Sequence, residues 1–134
     1  MKRTLLLFLV LTTVFVTSKA QTFTAITSHK SVQMGEQFKL TLEISGNTAG
    51  GEITPPTFQG FTLVAGPMKG SQTSNINGHV TQKTTFSYFL QPTKPGKFTI
   101  PSAALTIQGK VLKTDPIEIT VKKAEEVNTG SNKD

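Results

Sequence analysis

The sequence contains no cysteine and no tryptophan, one tyrosine and two histidines. Each scarcity removes a class of chemistry. Without cysteine there is no disulfide framework, no thiol nucleophile and no thiolate metal site. The only arginine is Arg3, so beyond the extreme N-terminus there is no guanidinium fork for a phosphate or a base edge. A zinc site needs three or four ligands. His29 and His79 lie far apart in the chain, and Glu36, Glu43, Glu52, Asp115 and Glu118 show neither helical nor Cys-x-x-Cys-like spacing. No Gly-x-Ser-x-Gly elbow, dinucleotide fingerprint or P-loop occurs, and Glu43 to Asn47 has too few carboxylates for a calcium loop. The expectation is a protein that is not an enzyme, with no catalytic, metal-ligating or cofactor-binding residues.

Long apolar runs are also scarce. The one present, Leu5 to Val16, follows Lys2 and Arg3 and precedes Ser18-Lys19-Ala20. A basic start, a short apolar stretch and small residues at the −3 and −1 positions, Ser18 and Ala20, form the pattern of a secretory signal peptide. The run falls short of the roughly 20 residues that span a bilayer. Residues 1–20 are therefore predicted to be a signal peptide, cleaved between Ala20 and Gln21. Removing them leaves 114 residues and takes away Lys2, Arg3 and Lys19, so the formal charge falls from +6 to +3. That length is one domain with room for a core of its own. The remaining lysines are scattered without interleaved aromatics, which points away from nucleic acid and towards a solvated surface with guarded sheet edges.

No helical spacing of apolar residues appears after residue 20; alternation does. Phe38, Leu40, Leu42 and Ile44 alternate with Lys39, Thr41, Glu43 and Ser45, which reads as a strand with one buried and one wet face. Thr22 to Ser28 alternates more weakly, and Met34-Gly35-Glu36 reads as a turn. Pro55-Pro56 marks an edge. Phe61 to Ala65 reads as a short strand stopped by Gly66-Pro67, followed by a polar arm from Gly70. Asn77-Gly78 is the strongest local hairpin signal, because both positions of a type I′ turn need φ > 0. His79 to Leu90 returns as a long strand, polar near the turn and apolar at Phe86, Tyr88 and Leu90, so the hairpin tip should project beyond the core. Gln91 to Lys97 reads as the next turn, and Phe98 and Ile100 complete a core seed. Leu105 and Ile107, a turn at Gln108-Gly109-Lys110, Val111 to Lys113, and Ile117, Ile119 and Val121 supply the last strands. Short strands with Gly/Pro punctuation predict an all-β fold, an antiparallel immunoglobulin-like β-sandwich over residues 21–123, with residues 124–134 a disordered polar tail. Tyr88 is assigned a structural role, its hydroxyl bonding backbone near the turn.

What is left for function is recognition. The candidate interaction surface is the hairpin tip, Asn75, Ile76, Asn77, Gly78 and His79, together with Phe89, which falls on the phase opposite Phe86, Tyr88 and Leu90. A carbohydrate- or cell-wall-binding module is the alternative. It would want exposed aromatic rings, and Phe89 is the one phenylalanine off the core phases.

The ordered run Gly60-Phe61, Gly66-Pro67, Asn77-Gly78, Tyr88-x-Leu90-x-Pro92, Gly96-x-Phe98-x-Ile100-Pro101, Gly109-Lys110 and Thr114-x-Pro116, preceded by Met34-Gly35-Glu36-x-Phe38, resembles the N-terminal domain of the BatD, or oxygen tolerance, family of Bacteroidetes and other Gram-negative bacteria. The resemblance covers about residues 22–123. It implies a periplasmic β-sandwich module of an envelope protein from aerotolerance operons. It also implies protein partners, among them membrane proteins with von Willebrand A domains and a tetratricopeptide protein. It brings no catalytic motif. Family members are usually several times longer, with further β domains and a membrane helix. Membrane association is therefore expected only through a longer parent protein or complex.

Overall fold

A computed structural model describes residues 21–124. Among them there are ten strands and no helix: β1 (Thr22–Thr27), β2 (Ser31–Gln33), β3 (Phe38–Ser45), β4 (Glu52–Thr54), β5 (Phe61–Ile76), β6 (His79–Pro92), β7 (Gly96–Ile100), β8 (Ala104–Ile107), β9 (Lys110–Lys113) and β10 (Ile117–Lys122). The predicted signal peptide, Ala20 included, and residues 125–134 of the predicted tail lie outside the described residues.

The largest sheet has the order β1-β3-β6-β5, antiparallel throughout. Alternation decides its faces. Phe38, Leu40, Leu42 and Ile44 of β3 stand opposite Leu90, Tyr88, Phe86 and Thr84 of β6, and all but the half-buried Phe86 are buried. Lys39, Thr41 and Glu43 point the other way, as the sequence predicts.

β5 departs from the sequence reading. It does not stop at Gly66-Pro67 but continues for 16 residues to the arm tip. Two register shifts, between Leu63 and Ala65 and between Ala65 and Met68, each absorb one extra residue of β5 against β6. Bulges of this kind let a strand carry a proline that cannot donate to the ladder. Because there are two, their effects on alternation cancel, and Lys69 returns to the face of Phe61. Gly66 is needed for a second reason: a Cβ there would lie 2.5 Å from the Ser87 carbonyl oxygen, at a φ of +109°. Pro92 also differs from expectation. It closes β6 opposite Phe61 and is buried, leaving the turn to Thr93–Pro95.

The remaining strands form two three-stranded sheets, β2-β10-β7 and β4-β8-β9, and a shared hairpin joins them. Gln108 (φ 48°) and Gly109 (φ 74°) make the turn between β8 and β9. Ala104 pairs with Lys113, and Ile100 pairs with Ile117 four residues further along each strand, so the register is the same in both halves. Pro101 and Pro116 interrupt the ladder between them. Thr114 bridges the gap. Its N–H donates to the Ala103 carbonyl at 3.0 Å, and its Oγ1 accepts from the Ala103 N–H at 2.8 Å. A buried hydroxyl thus stands in for a ladder carbonyl. The strands run in the order β2, β10/β9, β7/β8, β4.

One pairing is parallel, β2 with β10, an exception to the predicted all-antiparallel pattern. The sequence reading made this stretch only a turn. The partners lie far apart in the chain, so no local signal could announce the pair. All three sheets contribute to one buried cluster, which includes Leu40, Leu90, Leu105, Ile107, Ile119 and Val121.

Candidate interaction surface

The most exposed part of the fold is a β-arm made by β5 and β6. The last pair between β3 and β6 is Ser45 with Lys83, and just beyond it the Gly46 N–H donates to the Gln82 carbonyl at 2.8 Å. From Thr73 opposite Gln82 to Ile76 opposite His79, the hairpin runs on as a two-stranded ladder. Four pairs carry it roughly 13 Å past the end of β3. Asn77 (φ 51°) and Gly78 (φ 81°) close it in the type I′ turn the sequence predicts. At the root, Lys83 Nζ lies 3.0 Å from Glu43 Oε1. The arm itself carries no Lys, Arg, Asp or Glu. It is polar on both faces except for Ile76, on the face of His79, and Val80, on the face of Asn75; these are 67% and 52% exposed.

The structure divides the predicted interaction surface in two. Asn75, Ile76, Asn77, Gly78 and His79 are together at the exposed tip. Phe89 is on the same strand and the same face as His79, but ten residues away, about 34 Å along β6. It is half-buried between Lys39 and Ala65. The next row across that face is Ile26, Thr41, Ser87 and Met68. Ile26 and Met68 are both exposed there, and sequence reasoning passed over them. For Met68 the signal was hidden by the Gly66-Pro67 stop, which appeared to end the strand before it.

Two concave places flank the arm. One, of about 630 Å³, lies in the crook between Gly46-Asn47 and Val80-Gln82 and is bounded by Gln21. The Gln21 Nε2 donates to the Asn47 carbonyl, which holds the predicted mature N-terminus at the arm root. The other, of about 440 Å³, is floored by Ile44, Phe86, Tyr88 and Leu105, with Glu52 and Lys69 among its lining residues. Lys69 Nζ sits 6.0 Å from the Phe86 ring centroid. Tyr88 packs its ring against Phe58, with centroids 5.4 Å apart. Burial pushes its phenol above the ordinary value. Its hydroxyl makes no hydrogen bond to turn backbone among the described residues, so the expected bond is not formed there.

Among the described residues no cluster of three or more His, Asp or Glu side chains is placed to hold a metal ion. His29 sits in the turn after β1, its Nδ1 3.1 Å from Ser28 Oγ, and His79 opens β6 at the arm tip.

A family model described as "BatD DUF11 like domain" matches residues 25–121, most of the chain. The chain belongs to the BatD family. No curated protein matches it. The BatD match begins within β1 and ends within β10, so the arm, Phe89 and the concave place floored by Tyr88 lie inside the matched residues, while Gln21 at the crook of the arm lies just before them.

Proposed function

We propose that this BatD domain is an exported, non-catalytic protein-interaction module at the periplasmic face of the cell envelope, acting in an aerotolerance complex. The arm is the observation that carries the reading. An isolated two-stranded hairpin is marginal in water, and this one buries no large side chain beyond Gln82. Nothing in the core requires it, and its surface suits a partner that accepts backbone and amide hydrogen bonds around the apolar contacts of Ile76 and Val80. Family membership supplies the expected partners: von Willebrand A-domain membrane proteins and a tetratricopeptide protein. Membrane association comes through a longer parent protein or complex.

The architecture behind the arm is, in our reading, an immunoglobulin-like sandwich. The order β1-β3-β6-β5 corresponds to strands A, B, E and D of that fold, and β4, β7/β8 and β9/β10 correspond to C, F and G. β2 adds to the free side of G. The carbohydrate alternative finds less support. The exposed large apolar side chains among the described residues are Ile26, Leu63, Val64, Met68, Ile76, Val80 and Val111; all are aliphatic, and none offers a stacking ring.

The test is photo-crosslinking in the envelope. A photoreactive residue at Ile76 in the exported chain should capture a von Willebrand A or tetratricopeptide protein. Replacing Thr73–Gln82 by Asn-Gly joins the paired Gln72 and Lys83 through a two-residue turn; compared with the full chain using a lysine-directed crosslinker, which needs no residue of the arm, it should lose capture of the same protein. Recovery of nothing above an untagged control, or equal capture by the shortened chain, would overturn the reading.

A further inference from the structure

β5 is the outermost strand of its sheet, and from Met68 to Ile76 it pairs with β6 on one side only. The tip turn fixes which residues bond to β6. Ile76 and His79 flank a two-residue turn and form a hydrogen-bonded pair, and such pairs alternate along an antiparallel ladder. The register is unbroken from Met68 opposite Ser87 to Ile76 opposite His79. Ile76, Ser74, Gln72 and Gly70 therefore bond inward. Asn75, Thr73, Ser71 and Lys69 turn their N–H and C=O groups outward to solvent. On the far side of the hairpin the same alternation turns the Gln82 carbonyl away from β5, where it accepts from Gly46.

Other strand edges are blunted. β2 and β4 are three residues each, and β4 runs into Pro55-Pro56. The first half of β5 is broken by its two register shifts. β1 comes close to β9. Met68 to Ile76, by contrast, has no proline, no acidic residue and one lysine. A long regular edge without such guards is a template for another strand.

The strand that fits best is its own copy. Antiparallel pairing about a two-fold axis at Gln72 sets Lys69 opposite Asn75 and Ser71 opposite Thr73 of the second copy. All four are outward-directed, so the pairs exchange about eight hydrogen bonds. The same register sets Met68 opposite Ile76, 57% and 67% exposed and on one face. They fall at a non-hydrogen-bonded position, where facing side chains come closest. Each Lys69 meets an amide, so no like charges oppose. A shift of two residues leaves strand ends unpaired and separates Met68 from Ile76. Pairing the two hairpins also turns each marginal two-stranded arm into part of a four-stranded one.

We propose that the chain forms a two-fold dimer by antiparallel pairing of β5 with β5 of a second copy, centred on Gln72. Nine residues a side is fewer than the roughly 20–30 of a standard interface, so the dimer is weak and concentration-dependent.

Gln72→Cys gives the sharpest test, because the sequence has no other thiol. On the axis, two such residues lie about 4.5 Å apart between Cα atoms, within disulfide range. Mild oxidation should convert Gln72→Cys to covalent dimer at least about tenfold faster than Ser71→Cys, whose copies sit diagonally about 7–8 Å apart, or Thr99→Cys, exposed on β7. Sedimentation of the unmodified chain should show a monomer–dimer equilibrium. Thr73→Pro deletes an outward N–H and should abolish the dimer while circular dichroism keeps its strand signal. Three outcomes each overturn the proposal: a monomer at every concentration, Gln72→Cys crosslinking no faster than Thr99→Cys, or a dimer that survives Thr73→Pro with its strand signal intact. The inference does not depend on the partner reading. A monomer that still captures envelope proteins sinks this inference alone, and a dimer that captures none sinks the other alone.

Discussion

The same two strands behave differently at their two ends. Where β6 passes beside β3, Leu90 and Tyr88 are buried and Leu42 lies opposite Phe86. Where β6 leaves β3 behind, Val80 and Ile76 stand in water. β6 pairs with β5 at both ends, and the two register shifts of that ladder lie beside the buried end, so the regularity of the ladder does not set the buried end apart as the stronger one. Burial does. A backbone bond exchanged for a bond to water contributes about 1 kcal/mol net, whereas a fully buried leucine contributes roughly twice that or more. Stability is therefore concentrated at one end of the hairpin, which leaves the other end free to vary and to bind.

The largest expected effect lies at the buried end. Leu42→Ala removes a side chain with no exposed surface, opposite Phe86. Leu→Ala in a core of this kind costs about 2–5 kcal/mol, and urea denaturation should show the unfolding free energy falling by that margin, with a matching fall in the midpoint. A loss below about 1 kcal/mol would mean the site collapses easily, and the contrast between the two ends would weaken.

A smaller loss is expected at the interruption in the second hairpin. Thr114→Val keeps the shape but removes the oxygen that accepts the buried Ala103 N–H. An orphaned buried donor costs about 1–3 kcal/mol. Hydrogen exchange at the Ala103 amide should accelerate with it. Thr114→Ser, which keeps the oxygen, should recover most of the protection. If Val and Ser behave alike, the hydroxyl is not what joins β7/β10 to β8/β9.

Much of this was readable from the residues, and the reasons are local. The period-2 run Phe38 to Ser45, the Asn77-Gly78 turn and the projecting tip all depend on alternation and on φ > 0 positions, which neighbouring residues determine. The family followed from the order of Gly, Pro and aromatic positions. What escaped is non-local. The parallel pair β2–β10 joins residues nearly ninety positions apart. The full length of β5 needed two bulges to carry it through Gly66-Pro67, although a proline ordinarily ends a strand. The separation of Phe89 from the tip was legible, since His79 and Phe89 fall ten residues apart on one predicted strand, a span of about 34 Å; grouping them by exposure rather than by distance hid it.

The smallest expected effect completes the contrast. Ile76→Ser and Val80→Ser replace exposed aliphatic side chains on opposite faces of the arm. Neither packs in the core cluster. Each should change stability by no more than about 0.5 kcal/mol, as substitutions away from buried features do. The two should nonetheless differ in association. Ile76 faces Met68 across the proposed two-fold, so Ile76→Ser should weaken the dimer measured by sedimentation. Val80 lies on the other strand and the other face and should leave it unchanged. If the two variants weaken association equally, the arm is a general adhesive surface rather than one edge with one register. If both lower the urea midpoint by as much as Leu42→Ala, the arm belongs to the core and the division between the two ends of the hairpin does not hold.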